Sequence, residues 1–221
     1  CNQKCLHCYA GHQEYAIKEE LSTEEWKHII DECRKACIPQ ITFTGGEPTL
    51  RNDLVELVEY ASWFVTRVNT NGILLTKELC SSLYDASLDS IQVTLYSNVE
   101  HIHNLLVGAN TFNKTIEGIK NAIDAGLNVS INTPLCSLNK DYYELIRFAH
   151  NELGVNYFTC SGIIITGNAT SIDAVDTQLS KEEITSILRK VAPFAHNQGL
   201  GINFTSPGWV DSSELKMLKL N

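Results

Sequence analysis

The sequence predicts an α/β fold in which a parallel sheet with helical crossovers forms a partial (β/α)6 barrel of the TIM type. Short apolar runs of strand length alternate with longer amphipathic helical patterns, which is the pattern of such a sheet. The turns richest in polar residues follow the carboxyl ends of the predicted strands, where α/β folds place their sites. Right-handed crossovers favour the barrel, and a flat doubly wound sheet is the alternative.

The first predicted helix starts at a capping box, Ser22-Thr23-Glu24-Glu25, and runs to about Cys37. Gly126 and Gly154 are predicted to end two later helices as left-handed caps. The helices predicted after the first are Asp53 to Phe64, Thr76 to Tyr84, Asn113 to Ala125, Asp141 to Leu153 and Ser180 to Asn197. The predicted strands are Ile38 to Thr44, Arg67 to Thr70, Ser90 to Tyr96, Val129 to Thr133, Val155 to Cys160 and Gly201 to Thr205.

The composition is that of a globular protein, with 43% hydrophobic and 19% charged residues among 221. A net charge of −9 argues against a nucleic-acid partner. The apolar runs are too short to span a membrane, so no membrane association is expected. The cysteines outside the first eight residues are scattered through helical and strand patterns, as small core residues are. This pattern favours a reducing cytoplasm over a disulfide-linked secreted protein.

The amino-terminal residues contain three closely spaced cysteines, Cys1, Cys5 and Cys8, in a CxxxCxxC pattern. Three thiolates can hold a four-iron–four-sulfur cluster and leave its fourth iron open for chemistry. The alternative is a structural zinc site, closed by His12 with His7 as a second candidate ligand. The chain is long enough to fold around a core without zinc, so the iron–sulfur interpretation is favoured.

A glycine turn, Gly45-Gly46-Glu47-Pro48, follows the first predicted strand. Taken alone, it fits an ordinary turn from strand to helix, and it lacks the lysine of a phosphate-binding loop. Together with the cysteines it indicates a ligand site. Two glycines let the backbone approach a ligand closely, and Glu47 can accept hydrogen bonds from an ammonium group.

The chain resembles the radical S-adenosylmethionine enzymes in the segments Cys1 to Tyr9 and Phe43 to Pro48, and further in Val68 to Gly72, Ser90 to Tyr96 and Gly108 to Phe112. The resemblance implies two cofactors, a four-iron–four-sulfur cluster held by the three cysteines and S-adenosylmethionine on the open iron. Reductive cleavage would give a 5′-deoxyadenosyl radical that abstracts hydrogen from substrate, with electrons from a flavodoxin or ferredoxin.

The same resemblance assigns the cofactor contacts. Gly45, Gly46 and Glu47 would hold the methionine amino group. The remaining contacts lie near the adenine, the ribose or the carboxylate: His7, Tyr9, Asn71, Thr94, Ser161 and Gly162. No catalytic residue follows from the sequence. Cys160, at a predicted strand end, is a candidate hydrogen donor, although core packing is the favoured role.

Within the family, the chain is most similar to the SPASM-type peptide maturases, which implies a peptide or protein substrate. The competing reading is a small-molecule or tetrapyrrole-modifying relative, and the non-enzyme reading is a zinc or iron–sulfur binding protein. Residues 1–200 would form the barrel core, whose first strand would precede Cys1. Residues 201–221, including Trp209, would begin an extension toward an auxiliary-cluster domain beyond this chain.

Overall fold

The structure, a computed structural model, describes residues 1–11 and 20–205. Its strands form one six-stranded sheet in the order β1-β2-β3-β4-β5-β6, so neighbours in the chain are neighbours in the sheet. The strands are β1 Gln40–Phe43, β2 Val65–Thr70, β3 Ser90–Thr94, β4 Val129–Pro134, β5 Tyr157–Ser161 and β6 Gly201–Phe204. Strand β2 pairs in parallel with β1 and with β3, and β5 pairs in parallel with β4 and with β6. The predicted α/β class with a parallel sheet is confirmed.

Helix α1 precedes β1, and the other described helices lie between strands, as a parallel sheet requires. They are α1 Thr23–Lys35, α2 Leu54–Tyr60, α3 Lys77–Asp85, α4 Glu100–Val107, α5 Phe112–Asp124, α6 Tyr142–Leu153, α7 Ile172–Val175 and α8 Lys181–Gln198. Both predicted capping boxes form, at Ser22 before α1 and at Ser180 before α8. Helix α4 was not predicted. Its N-cap residue, Val99, provides no side-chain cap, so its start carries no sequence signal.

The chain divides into two compact units. The first contains residues 1–2, 12–93 and 113–129. Its core includes a cluster of buried residues from α1, α2 and the turn after α2: Ile30, Leu57, Ala61 and Phe64. Three half-buried residues pack against this cluster, Cys33 of α1 and Ile41 and Phe43 of β1. Burial of these apolar side chains is the main force that holds α1 and α2 together.

The second unit contains residues 3–11, 94–112 and 130–221. One core cluster joins α4 to the cysteine segment: Tyr96, Leu106, Val107 and Cys136 are buried, and Cys5, Leu6, Ile102, Ala109 and Ile163 pack against them. Strand β6 pairs with β5 in this unit, whereas residues 206–221 of the predicted extension lie outside the described residues. The domain boundary after residue 200 stays a prediction.

All eight cysteines carry free thiols. Of the scattered ones, Cys80, Cys136 and Cys160 are buried and Cys33 is half-buried, as small core residues should be. Cys37 is the exception to this prediction. It is exposed with a φ of +57°, because it lies in the left-handed turn that follows α1.

Among the described residues, none of the helices combines the length and the apolar character that crossing a membrane would require.

Candidate functional site

The cysteine segment of the second unit is fixed to the carboxyl end of α4 by its main chain. The Lys4 amide donates to the Val107 carbonyl at 3.1 Å, and the Leu6 amide donates to the Leu106 carbonyl at 2.9 Å. The Cys5 side chain packs against the same helix. We call residues 3–11 the cluster loop. Its path is therefore set by main-chain hydrogen bonds to a helix end that would otherwise leave carbonyl groups unpaired.

The predicted iron ligands differ in exposure. Cys1, in the first unit, is exposed, and Cys5 and Cys8, in the second unit, are half-buried. Burial, with Cys8 as a secondary cause, raises the pKa of Cys5 to about 11, so binding iron to its sulfur must release a proton. Within residues 1–11 and 20–205, no group of three or more His, Cys, Asp or Glu side chains is already gathered as a metal site. The ligand assignment stays a prediction.

The donor chemistry nevertheless fits the predicted group. Cys1, Cys5 and Cys8 are thiols outside any disulfide, and thiolates are the ligands that iron–sulfur clusters require. The same comparison of ligands cannot be made for the alternative zinc site, because its fourth ligand, His12, lies outside the described residues.

His7 and Tyr9, two predicted cofactor contacts, lie between and beside the cysteines of the second unit. The His7 ring is buried, and its Nε2 lies 2.7 Å from the Thr177 hydroxyl. Its Nδ1 is buried without a hydrogen-bond partner among the described residues. The Tyr9 side chain is 57% exposed. Tyr9 is thus available to a ligand, whereas the His7 side chain is directed to Thr177, and both cofactor contacts stay predictions.

The glycine turn after β1 lies against the first cysteine. A Cβ added to Gly46 would stand 3.1 Å from the Cys1 Cβ and backbone nitrogen, which is tighter than ordinary contact. Gly45 has a φ of +135°, which side chains rarely adopt. The two glycines therefore permit both the turn and the close approach of the turn to Cys1, within the first unit.

The carboxylate of Glu47 is buried and accepts hydrogen bonds from four protein donors. Its Oε1 accepts from the Thr49 amide at 3.1 Å and the Thr49 hydroxyl at 2.6 Å, and from the Thr70 hydroxyl at 2.6 Å. Its Oε2 accepts from the Asn71 amide at 2.8 Å. Glu47 therefore caps the 3-10 helix Pro48–Leu50 and ties it to the end of β2. Each carboxylate oxygen has two lone pairs, so Oε2, with its one donor, retains capacity for a further hydrogen bond.

Asn71 extends this network toward the first cysteine. Its Nδ2 donates to the Asn2 side chain at 2.6 Å, and its Oδ1 accepts from the Ile73 amide at 3.0 Å. Within the first unit, the structure thus links Glu47, Asn71 and Asn2 in one chain of hydrogen bonds. The Asn71 side chain, predicted as a cofactor contact, is engaged within the protein on both of its polar atoms.

The remaining predicted contacts lie at strand ends of the second unit. Thr94 is the last residue of β3, Ser161 is the last of β5, and Gly162 follows it. Thr94 and Ser161 are half-buried, and Gly162 is buried. The Ser161 carbonyl accepts from the Leu135 amide at 2.9 Å, which holds the ends of β4 and β5 together. These positions match the expectation that the site follows the strands.

Asn168, which no sequence motif marks, contacts the cluster loop directly. Its side-chain nitrogen donates to the Cys5 carbonyl at 3.1 Å, and its backbone amide donates to the Cys8 carbonyl at 2.9 Å. A single asparagine in the segment after β5 carries no recognisable motif. The neighbouring Gly167, with a φ of +59°, was the available hint of a close backbone approach.

The comparisons with known proteins agree with this geometry. The family model of the radical SAM superfamily matches residues 1–149. The chain therefore belongs to the radical SAM superfamily, whose members use a four-iron–four-sulfur cluster and S-adenosylmethionine.

Among curated proteins, the chain is 36% identical over 133 residues to Fe-coproporphyrin III synthase of Methanosarcina barkeri, an alignment covering 59% of this chain and 33% of that protein. It is also 36% identical over 161 residues to a probable GTP 3′,8-cyclase of Saccharolobus solfataricus, covering 71% of this chain and 51% of the relative. The chain thus spans about a third to a half of these relatives.

Among solved structures, SuiB of Streptococcus suis bound to S-adenosylmethionine superposes with a TM-score of 0.79 at 18% identity, covering 94% of this chain and 48% of SuiB. SuiB bound to its precursor peptide SuiA gives a TM-score of 0.80 at 15% identity, with coverage of 99% and 52%. These similarities confirm the predicted fold class, the α/β partial barrel of the radical SAM core.

Proposed function

We propose that this chain is the core of an enzyme that performs radical chemistry on a peptide or protein, with Cys1, Cys5 and Cys8 as ligands of the cluster. When bound and reduced, the cluster and S-adenosylmethionine supply a 5′-deoxyadenosyl radical that removes a hydrogen atom from the substrate. The observation that carries the proposal is the contact between Gly46 and Cys1, because it sets the glycine turn directly beside the first ligand.

The protein's own residues would bind and orient the cofactor. The glycine turn would present its backbone to the methionine amino group, and the free capacity on Glu47 Oε2 suits one hydrogen bond from that ammonium. The exposed Tyr9 ring would pack near the adenine. Asn71 would act through its hold on Asn2 and hence on the Cys1 end.

A peptide substrate is supported by the polar face of the sheet in the second unit. Asn132 of β4 pairs with Thr159 of β5, which pairs with Asn203 of β6, so the three side chains lie in one row. Amide and hydroxyl groups of this kind match the uncharged hydrogen-bonding groups of a peptide. The similarity of fold to peptide-bound SuiB supports the same substrate class.

A small-molecule substrate is the second candidate. It is favoured by the curated relatives, one an Fe-coproporphyrin III synthase and the other a probable GTP 3′,8-cyclase, each at 36% identity. The two compounds in these names, Fe-coproporphyrin III and GTP, carry several negative charges, which a protein usually meets with arginine or lysine. The row in the second unit offers uncharged groups instead.

Anaerobic reconstitution tests the cofactor part of the proposal. We expect about four irons per chain, together with 5′-deoxyadenosine after reduction in the presence of S-adenosylmethionine. The variant Cys5→Ala should lose most of the iron and all of the 5′-deoxyadenosine. Cys37→Ala, which removes an exposed thiol far along the chain, is the matched control and should retain both. Bound zinc without iron in the wild-type protein would contradict the proposal.

The substrate class is tested with the reconstituted protein and a one-electron donor of the flavodoxin or ferredoxin type. A peptide library, GTP and an iron porphyrin are each supplied under turnover conditions, and products are identified by mass spectrometry. Stimulated 5′-deoxyadenosine formation with a modified peptide is the expected result. Modification of GTP or of the porphyrin alone would assign the chain to the second candidate.

A further inference from the structure

The hydrogen bonds around Asn168 have no role in the cofactor contacts proposed above, yet they converge on two of the ligand cysteines. We infer that Asn168 is a positioning residue for the cluster loop, which it holds in the geometry that binds iron. The inference rests on the proposed function, because it takes Cys5 and Cys8 as iron ligands.

Asn168 holds two ligand residues through two independent bonds. Its Nδ2 reaches the Cys5 carbonyl at 3.1 Å, and its backbone amide reaches the Cys8 carbonyl at 2.9 Å. The Cys8 carbonyl also accepts from the Gly11 amide at 3.0 Å. Because each carbonyl is fixed, the peptide planes on which the Cys5 and Cys8 side chains are mounted are fixed as well.

The local backbone is built to allow this approach. Asn168 lies in the 3-10 helix Gly167–Thr170, and a Cβ on Gly167 would collide with the carbonyl oxygens of Cys8 and Tyr9. On the other side, a Cβ on Gly11 would collide with the Asn168 side-chain amide. Both glycines therefore leave the space into which the Asn168 contacts fit, which indicates a specific arrangement rather than a casual surface contact.

The far end of the same segment is anchored separately. The 3-10 helix runs into α7, and Thr177, just beyond α7, places its hydroxyl 2.7 Å from the buried His7 ring. The segment from Gly167 to Thr177 thus contacts the cluster loop at both of its ends. Asn168 is the member of this segment that contacts the ligand cysteines themselves.

The test compares Asn168→Asp with Asn168→Ala. Aspartate has the size of asparagine, but as a carboxylate at pH 8 it cannot donate to the Cys5 carbonyl. If Asn168 positions the loop by donating, both variants should lose iron to a chelator about fivefold faster than the wild type, the effect of one lost hydrogen bond. The aspartate variant should retain iron no longer than the alanine variant does. The control is Asn128→Asp, which removes a similar side-chain donor, one that donates to the backbone carbonyl of Asp89. This control variant should release iron at the wild-type rate.

Hydrogen exchange of the metal-free protein gives a readout that does not depend on the cluster. Amides of residues 3–11 should exchange faster in both Asn168 variants, with helix α8 unchanged. Equal acceleration in α8 would mean a global loss of stability and would overturn the inference. Iron retention at the wild-type level in Asn168→Asp would also overturn the inference. Failure of the wild-type protein to bind iron would instead contradict the proposed function, and the exchange result would still decide whether Asn168 holds the loop.

Discussion

Cys160, the candidate hydrogen donor, lies in β5 with its side chain fully buried. Burial raises the pKa of its thiol well above the usual value, and its electrostatic neighbour is the buried Tyr142 of α6. The adjacent Thr159 and Ser161, which point to the opposite face of the strand, are half-buried. These surroundings support the core-packing role, and hydrogen donation stays untested.

We expect Cys160→Ala to lower the free energy of unfolding by about 1–2 kcal/mol, because it removes a buried sulfur from a packed core. The rate of 5′-deoxyadenosine formation should stay at the wild-type value. Urea unfolding measures the stability, and assays of 5′-deoxyadenosine and of the modified product measure the activity, with Cys37→Ala as the exposed control. Full stability with loss of the modified product would restore Cys160 as a hydrogen donor.

His103 of α4 is a second buried titratable residue. Its ring is fully buried, and its Nδ1 accepts weakly from the Tyr96 amide at 3.4 Å. Its Nε2 has no hydrogen-bond partner among the described residues, and its ring faces the edges of Tyr96 and Phe112. Burial lowers the pKa of His103 from 6.5 to about 4, because these surroundings cannot solvate a charged ring.

This pKa predicts a dependence of stability on pH. Between pH 6.5 and about 4 the unfolded chain binds a proton at His103 that the folded chain does not. Stability should therefore be complete above pH 6.5 and should fall by up to about 3 kcal/mol as the pH drops to 4. Urea unfolding between pH 7.5 and 4.5 measures this loss of folding free energy. His103→Gln should flatten this part of the profile, and the exposed-residue variant His101→Gln should not. An unchanged slope in His103→Gln would assign the pH dependence to other groups.

At the scale of the elements, Glu47 joins the 3-10 helix after β1 to the end of β2. Its side chain thus has two roles, a structural one on four protein donors and a proposed one on the cofactor ammonium. A charged acceptor in a buried network is costly to replace, because the donors around it lose their partner.

We expect Glu47→Gln to weaken S-adenosylmethionine binding about tenfold and to leave the iron content intact. The neutral amide keeps the size of the side chain but loses the charge and places a donor among donors. Equilibrium dialysis of the reconstituted protein measures the Kd, and Glu59→Gln, on the exposed face of α2, is the matched control. A wild-type Kd in Glu47→Gln would remove its carboxylate from the cofactor site and leave only the structural role.

At the scale of the whole molecule, the sequence predicted the parallel sheet, because strand and helix periods alternate cleanly and side-chain caps mark the starts of α1, α3 and α8. Gly126 and Gly154 were correctly assigned as left-handed ends, with φ of +86° and +76°. Helix α4 was not found, since Val99 offers no cap. Strand bounds differ by one or two residues where the strand is short, as at β1 and β5.

The candidate site was predicted in part, for a physical reason. Cysteine spacing and paired glycines are chemical requirements that appear in the sequence as local patterns. The contacts of Asn168 to residues 5 and 8, and of Asn71 to residue 2, join positions far apart in the chain. A lone asparagine in a turn fits any loop, so its long-range partner becomes visible only once the fold brings the two segments together.

The main-chain attachment of the cluster loop to α4 has a consequence for how such proteins diverge. The Lys4 amide is bonded to Val107 while its side chain is exposed. A hydrogen bond of this type does not depend on which side chain the residue carries. Mutation at position 4 can therefore introduce, remove or reverse a charge near the cysteines without redirecting the loop. The electric field around a redox centre can therefore differ between relatives, while the backbone that holds the redox centre stays the same.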